Sequence, residues 1–328
     1  MSRRRPTLTG AVLGALLLAG CSTPPPEPAP DAVPAALPPA VSTDQVGDVL
    51  AEVSAVLAEA DATVDPALLA PRVTGAAAQI RTAEYALAKA GDTEALTAIP
   101  PAAQTIVAPT TDGWPRTVMV VTEPPADLQP PLLLTLVQES PREPYQMWSW
   151  ARLFPGAQMP ATAQPDLGSA MVAADDAASL AYAPSDVLAR YIDVLNTGTA
   201  SPHAALFTED PLRNGIAATK AAYASVVGAN GTLTETYQPA ASGPWSIATA
   251  DGGAIVVGAV QTVTTITLAD STLTIGDQTA ALLGKPQVAQ NLAITWLSVV
   301  AFAVPPAGST DPVTVLGGEH SPIKVTGE

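Results

Sequence analysis

Twice along this chain, apolar positions recur at helical spacing and the pattern then changes to alternation. Val46, Val49, Leu50, Val53, Val56 and Leu57 follow the three-and-four spacing of an amphipathic helix. Ser42-Thr43-Asp44-Gln45 stands before them as a capping box, in which Ser42 and Gln45 can satisfy each other's backbone donors. The spacing predicts a helix from there to about residue 60. A second helix is predicted over 71–90, carrying Ile80, Ala83, Tyr85 and Leu87 and ended by Gly91. Period two then predicts strands at 105–108, 117–122, 132–139 and 145–154, separated by Asp112-Gly113, Pro124-Pro125 and Pro141.

The same order then returns. Pro184-Ser185 opens a helix with Val187, Leu188, Tyr191, Ile192 and Leu195 on one face, and Asp210-Pro211 opens a second that runs to about residue 227. Asn230-Gly231 is a tight turn, and strands are predicted at 232–237, 245–249, 254–268, 293–304 and 313–315. Asp251-Gly252 is a hairpin signal of the kind that needs positive φ. Residue matches are faint but ordered. Arg72 to Tyr85 has a counterpart in Arg213 to Tyr223, Trp114 in Trp245, and Tyr145-Gln-Met-Trp148 in Ala293-Ile-Thr-Trp296. The expected architecture is α+β, two tandem repeats of two helices followed by a curved antiparallel sheet. Domains are expected at 42–166 and 181–328, joined by a linker over 167–180 that continues a stretch rich in Pro, Ala, Gln and Asp. This element order resembles the cone-shaped NTF2-like fold, over about 130 residues per half. That resemblance implies a pocketed α+β unit and says little about function, because the fold hosts isomerases, dehydratases and plain binding modules.

The amino-terminal segment changes the picture most. Arg3, Arg4 and Arg5 precede an apolar run from Leu8 to Leu18, too short for the roughly 20 residues of a permanent span. Leu18-Ala19-Gly20-Cys21 follows, and Cys21 is the only cysteine. These residues resemble the bacterial lipoprotein precursors, whose lipobox reads Leu-(Ala/Ser)-(Gly/Ala)-Cys, and the whole chain resembles a class of actinobacterial lipoproteins. The resemblance implies that residues 1–20 are a signal peptide, that the Cys21 thiol carries a diacylglyceryl group, and that the new amino terminus is acylated. Several acyl chains, at about 0.8 kcal/mol per buried methylene, hold a protein durably on a membrane. Residues 22–41 are rich in proline, which fixes φ and removes donors, so they are expected to form an extended tether of about 3.1 Å per residue. The expected address is the outer face of the cell membrane.

Charge narrows the partners. Processing at Cys21 removes three arginines and no acids, leaving 11 basic against 30 acidic residues, a net charge of −19. Such a surface repels phosphate backbones, and nucleic acid is not an expected partner. With Cys21 committed to lipid, no disulfide or thiol chemistry is expected in the folded part.

Catalytic patterns are sparse. Ser321-Pro-Ile-Lys324 has the Ser-x-x-Lys spacing of penicillin-binding enzymes, but Pro322 interrupts it. His203 and His320 are far apart, and each reads as lying in a loop. Glu209 and Asp210 beside His203 read as helix-start acids rather than metal ligands. The acids over 270–277 lack calcium-loop spacing and read as a turn between strands. No glycine loop matches a phosphate or dinucleotide fingerprint. Asp193 with Tyr191 would be the carboxylate–phenol pair of a cone pocket, but Tyr191 lies on the apolar stripe and Asp193 opposite it. No catalytic residue, metal or cofactor is expected. The tryptophans are the candidate surface: Trp148 and Trp150, two apart and so expected on one face of a strand, Arg152 continuing that face, and Trp296 in the second half. They read either as a ligand or partner surface or as the large fillers of an Ala- and Val-rich core. The expectation is a non-catalytic binding or assembly module of the cell envelope, acting on an envelope protein or polymer. The alternative is a metal-independent isomerase or hydrolase using a cone-shaped pocket.

Overall fold

A computed structural model describes residues 37–328 except 93, 126–128, 241 and 270. The lipobox, Cys21 and most of the proline-rich stretch lie outside the described residues. Helix α1 (Thr43–Thr63) starts where the capping box puts it: Ser42 Oγ accepts from the Gln45 N–H and Gln45 returns the bond to the Ser42 N–H. Such a cap contributes about 1 kcal/mol. Val46, Leu50, Val53 and Leu57 are its buried face. Helix α2 (Gly75–Lys89) follows a short 3-10 turn at Pro66–Leu69.

Nine antiparallel strands form one sheet: β1 (Ala103–Val107), β2 (Arg116–Thr122), β3 (Leu132–Gln138), β4 (Gln146–Leu153), β5 (Gly231–Pro239), β6 (Trp245–Ala248), β7 (Ala254–Leu268), β8 (Asn291–Val304) and β9 (Thr314–Gly327). Helices α3 (Pro184–Thr197) and α4 (Pro211–Val227) precede β5, and a short α5 (Asp277–Leu283) lies between β7 and β8. The spatial order is β1-β2-β3-β4-β9-β8-β7-β5, with β6 pairing the other end of β7. The last strand of the first half therefore lies beside the last strand of the second.

That junction is narrow, two residue pairs long: Gly317 opposite Leu153 and Gly318 opposite Arg152. A Cβ on Gly317 would collide with the Arg152 carbonyl, so only glycine lets the backbones approach here. The described residues, from 37 on, belong to one compact unit. The segments expected as two domains thus share a sheet, and the stretch expected as a linker is tied down. Ser169–Ala170 pairs in parallel with Pro109–Thr110, and Met171 bridges Ile247.

Alternation along β7 and β8 builds two cores on opposite faces. Ile255, Val257, Leu297, Val299 and Ala301 join the apolar residues of α1, α2 and β2 to β4. Val256, Val260, Val300 and Phe302 face α3 and α4, where Tyr191 meets both Phe207 and Phe302 edge-on. Farther along the same face, Ile266, Leu292 and Ile294 begin a third cluster with Val227. Between the second and third clusters the face is polar.

Candidate functional site

The polar band is built by register. On β5, Leu233, Glu235 and Tyr237 alternate inward while Thr232, Thr234, Thr236 and Gln238 are exposed. Glu235 lies opposite Thr264 of β7, Tyr237 opposite Thr262, Thr262 opposite Trp296 of β8, and Ser298 opposite His320 of β9. Cross-strand partners share a face, so all of these side chains meet on one surface of the sheet.

They form a connected chain of contacts. The Glu235 carboxylate accepts from Tyr237 Oη at 2.5 Å and Thr264 Oγ1 at 2.9 Å, and Lys220 Nζ of α4 is 3.3 Å away. Trp296 Nε1 donates to the Thr264 hydroxyl at 3.1 Å, and the Trp296 ring lies flat on His320. His320 Nδ1 is 2.8 Å from Ser298 Oγ. Burial lowers the His320 pKa to about 4, against a smaller upward pull from Glu235, so the imidazole is neutral at pH 7. Burial first, then the Glu235 hydrogen bond and charge, push the Tyr237 phenol far up.

Two adjoining cavities open beside this chain. One, of ≈ 250 Å³, lies between the end of α3, α4 and β5 and is lined by Leu195, Arg213, Ile216, Lys220 and Tyr237. The other, of ≈ 510 Å³, continues along α4 past Ala221, Ala224 and Val227 to Leu233 of β5. Ala217 and Lys220 line both. At the far end, His320 borders a cleft of ≈ 400 Å³ between α2, α5 and the outer edge of β9. A buried ionic cluster sits against that cleft. Arg81 meets Asp61 at 2.9 Å and Glu84 at 2.6 Å, Tyr85 Oη donates to Asp61, and Thr97 donates to Glu84.

Of the residues singled out in the sequence, Trp296 joins the site. Trp148 and Trp150 do not: both are core side chains. A β-bulge between β3 and β4 also separates them. Trp150 lies opposite Leu134 and Met147 opposite Leu136, so Met147 shares the Trp150 face and Trp148 is the extra, unpaired residue. Trp148 Nε1 donates to Ser242 Oγ at 2.8 Å, and its ring meets Trp245 edge-on. Arg152 donates to the Pro130 carbonyl at 2.9 Å.

The remaining motifs resolve as follows. His320 is a strand residue of β9, not a loop residue, and Ser321 and Lys324 lie on the same strand rather than on a helical turn. Tyr191 pairs with Asp210 at 2.9 Å, not with Asp193, whose carboxylate receives Ser201 Oγ. Asp210 is the N-cap of α4, accepting from the Arg213 N–H, and burial raises its pKa against these bonds. Among the described residues no group of three His, Cys, Asp or Glu side chains could hold a metal ion. Glu235 and Tyr237 were the missed pair. Their signal was present: a carboxylate at the inward phase of a Leu-x-Glu-x-Tyr alternation.

Chemically, the arrangement holds its groups rather than freeing them. Glu235 is engaged by three donors, Ser298 is buried, and neutral His320 is held between indole and hydroxyl. The fold and site define a mixed α+β protein with a helix-flanked pocket at the end of one antiparallel sheet. Residues 37–327 match the family described as Domain of unknown function (DUF8094), and the chain belongs to that family. No curated protein and no solved structure matches it.

Proposed function

We propose that this protein is a lipid-anchored, extracytoplasmic assembly module that binds an extended segment of an envelope protein on β5. One observation carries the reading: β5 is nine residues long and ends the sheet, with no strand paired to its outer edge among the described residues. Sheet edges are ordinarily blunted by lysine, proline or a bulge. Here the only proline is the last residue, Pro239, the strand has no lysine and its register with β7 is unbroken, so the inward-facing Glu235 is the one blunting device along 231–238. Backbone hydrogen bonds along such an edge supply affinity, and a pocket for alternate side chains supplies specificity. The cavity between α4 and β5, with Lys220 at its wall, is placed to do the second.

The address rests on the lipobox at Cys21 and the proline-rich stretch after it. Cys21→Ala is expected to move the protein from the membrane fraction to the soluble one, or to leave it unprocessed. Unchanged membrane binding with normal processing would refute the anchor.

The two halves read as copies of one unit. Each supplies two helices and then antiparallel strands, and the strand order runs inward from β1 and from β5 to meet at β4 and β9. The likeness to the NTF2-like cone rests on this element order.

The Glu235–Tyr237 pair supports a second reading, an enzyme using a carboxylate and a phenol at a pocket wall without metal. Glu235→Gln and Tyr237→Phe separate the two. Partner capture survives both substitutions if β5 acts through its backbone, whereas turnover of any substrate by acid–base chemistry is lost in both.

A further inference from the structure

A different pocket, of ≈ 440 Å³, lies between the loop that follows α3 and the loop that joins β8 to β9. The two loops are stitched at their base. Phe207 and Val313 form a parallel bridge, the Val313 N–H donates to the Leu206 carbonyl at 2.9 Å, and the Thr208 N–H donates to the Val313 carbonyl at 3.0 Å. Ser201 Oγ donates to Asp193 of α3, and the His203 N–H donates to Ser201 Oγ at 3.1 Å, which fixes the wall that carries His203.

Arg190 of α3 projects into this pocket with its guanidinium carbon 4.5 Å from the centre of the Tyr182 ring. It makes no ion pair with any carboxylate among the described residues, in a chain where acids outnumber bases by 30 to 14. Asp311 lines the same pocket, yet its carboxylate is engaged by Ser309 Oγ at 3.0 Å. A guanidinium held over an aromatic ring, with its donors uncommitted to protein carboxylates, is suited to a planar oxyanion. Thr310 and His203 add a hydroxyl and an imidazole that match substrate hydroxyls, and Ser309 Oγ, whose proton goes to Asp311, is left to accept.

We propose that the Arg190–Tyr182–His203 pocket is a binding site for a small hydroxylated carboxylate of the uronic-acid type. The carboxylate pairs with the Arg190 fork and the hydroxyls meet Ser309, Thr310 and His203. The carboxylate of Asp311 in the lining penalises a dianion more than a singly charged group. The site is separate from β5 and stands or falls independently of the assembly reading.

The test is calorimetric titration of the full chain in detergent with D-glucuronate, D-glucose and inorganic phosphate. Saturable one-site binding of D-glucuronate is expected, with no binding of D-glucose and weaker binding of phosphate. Arg190→Gln is expected to weaken glucuronate binding by about ten-fold or more, as loss of a charge-assisted bond does. Arg190→Lys, which keeps the charge without the fork, falls between. Thr310→Trp fills the pocket from an exposed loop position and is expected to abolish binding with the fold intact by circular dichroism. Glucose binding equal to glucuronate, phosphate binding tighter than glucuronate, unchanged affinity in Arg190→Gln or Thr310→Trp, or no glucuronate binding at millimolar concentration would each overturn the assignment.

Discussion

Trp296 lies flat on His320, ring centroids 4.8 Å apart and planes 9° from parallel, on neighbouring strands. The stack, with Ser298 on Nδ1, takes most of the imidazole out of water, and burial holds its pKa near 4. The unfolded value is about 6.5. The folded state therefore favours neutral His320, and its contribution is full above pH 6.5 and is lost as pH falls toward 4. The full difference corresponds to about 3 kcal/mol. Glu84 and Asp210, whose pKa values burial raises, act in the opposite sense, so the contribution is read as a difference. Between pH 7 and pH 4.5 the urea midpoint of the wild type is expected to fall further than that of His320→Gln. Parallel curves would show that His320 is hydrated.

Gly75 begins α2 with φ +57° directly against the Trp148 indole, which a Cβ there would overlap. Gly75→Ala is expected to cost about 2–4 kcal/mol, combining strain and a displaced core side chain. Gly91→Ala, at φ +105° but with open space around it, is expected to cost about 1 kcal/mol. Equal losses in chemical denaturation would contradict the close contact at Trp148.

Arg81 is 2% exposed and serves Asp61 and Glu84 at once. Its removal leaves the buried Glu84 and the part-exposed Asp61 without their cation, and Arg81→Met is expected to destabilise by about 3 kcal/mol. Restoring most of that stability by also changing Glu84→Gln would confirm that the loss is electrostatic. An additive double variant would place the cost in packing instead.

Trp150 is fully buried and Trp148 nearly so, while Trp114 is 38% exposed, its ring covered by Arg116. Acrylamide is expected to quench Trp114 most readily. Trp148→Phe and Trp150→Phe are expected to leave the quenchable fraction unchanged, and Trp114→Phe to lower it. A drop in either of the first two variants would place that indole in water.

Much of this fold was legible because its local signals agree with its long-range packing. The Ser42–Gln45 box, the stripe from Val46 to Leu57, Asp210-Pro211 and the alternation along β7 each specify an element that the structure contains. What escaped had its signal masked. The strand β9 reads as broken because Gly317, Gly318 and Pro322 interrupt its alternation. The glycines are where β4 approaches, and Pro322 lies on the stretch with no strand on its outer side among the described residues. Helix α5 has seven residues and no side-chain cap, too little for helical spacing to announce it, and only its first residue, Asp277, falls in the stretch read as a turn. The bulge at Trp148 cannot be seen in one strand alone, because it is a property of the pairing. The site was half visible for the same reason. Trp296 stood out by type, whereas Glu235, Thr264 and His320 are ordinary residues until register brings them together.

The most direct measurement is photo-crosslinking in intact cells from a reactive residue at Ala221, which lines the cavity between α4 and β5. A matched probe at Ala51, exposed on α1, serves as reference. The account predicts one reproducible protein adduct at Ala221, mapping to an extended peptide segment of the partner, and none at Ala51. No adduct at Ala221 in correctly anchored protein, or the same adduct from both positions, would contradict it.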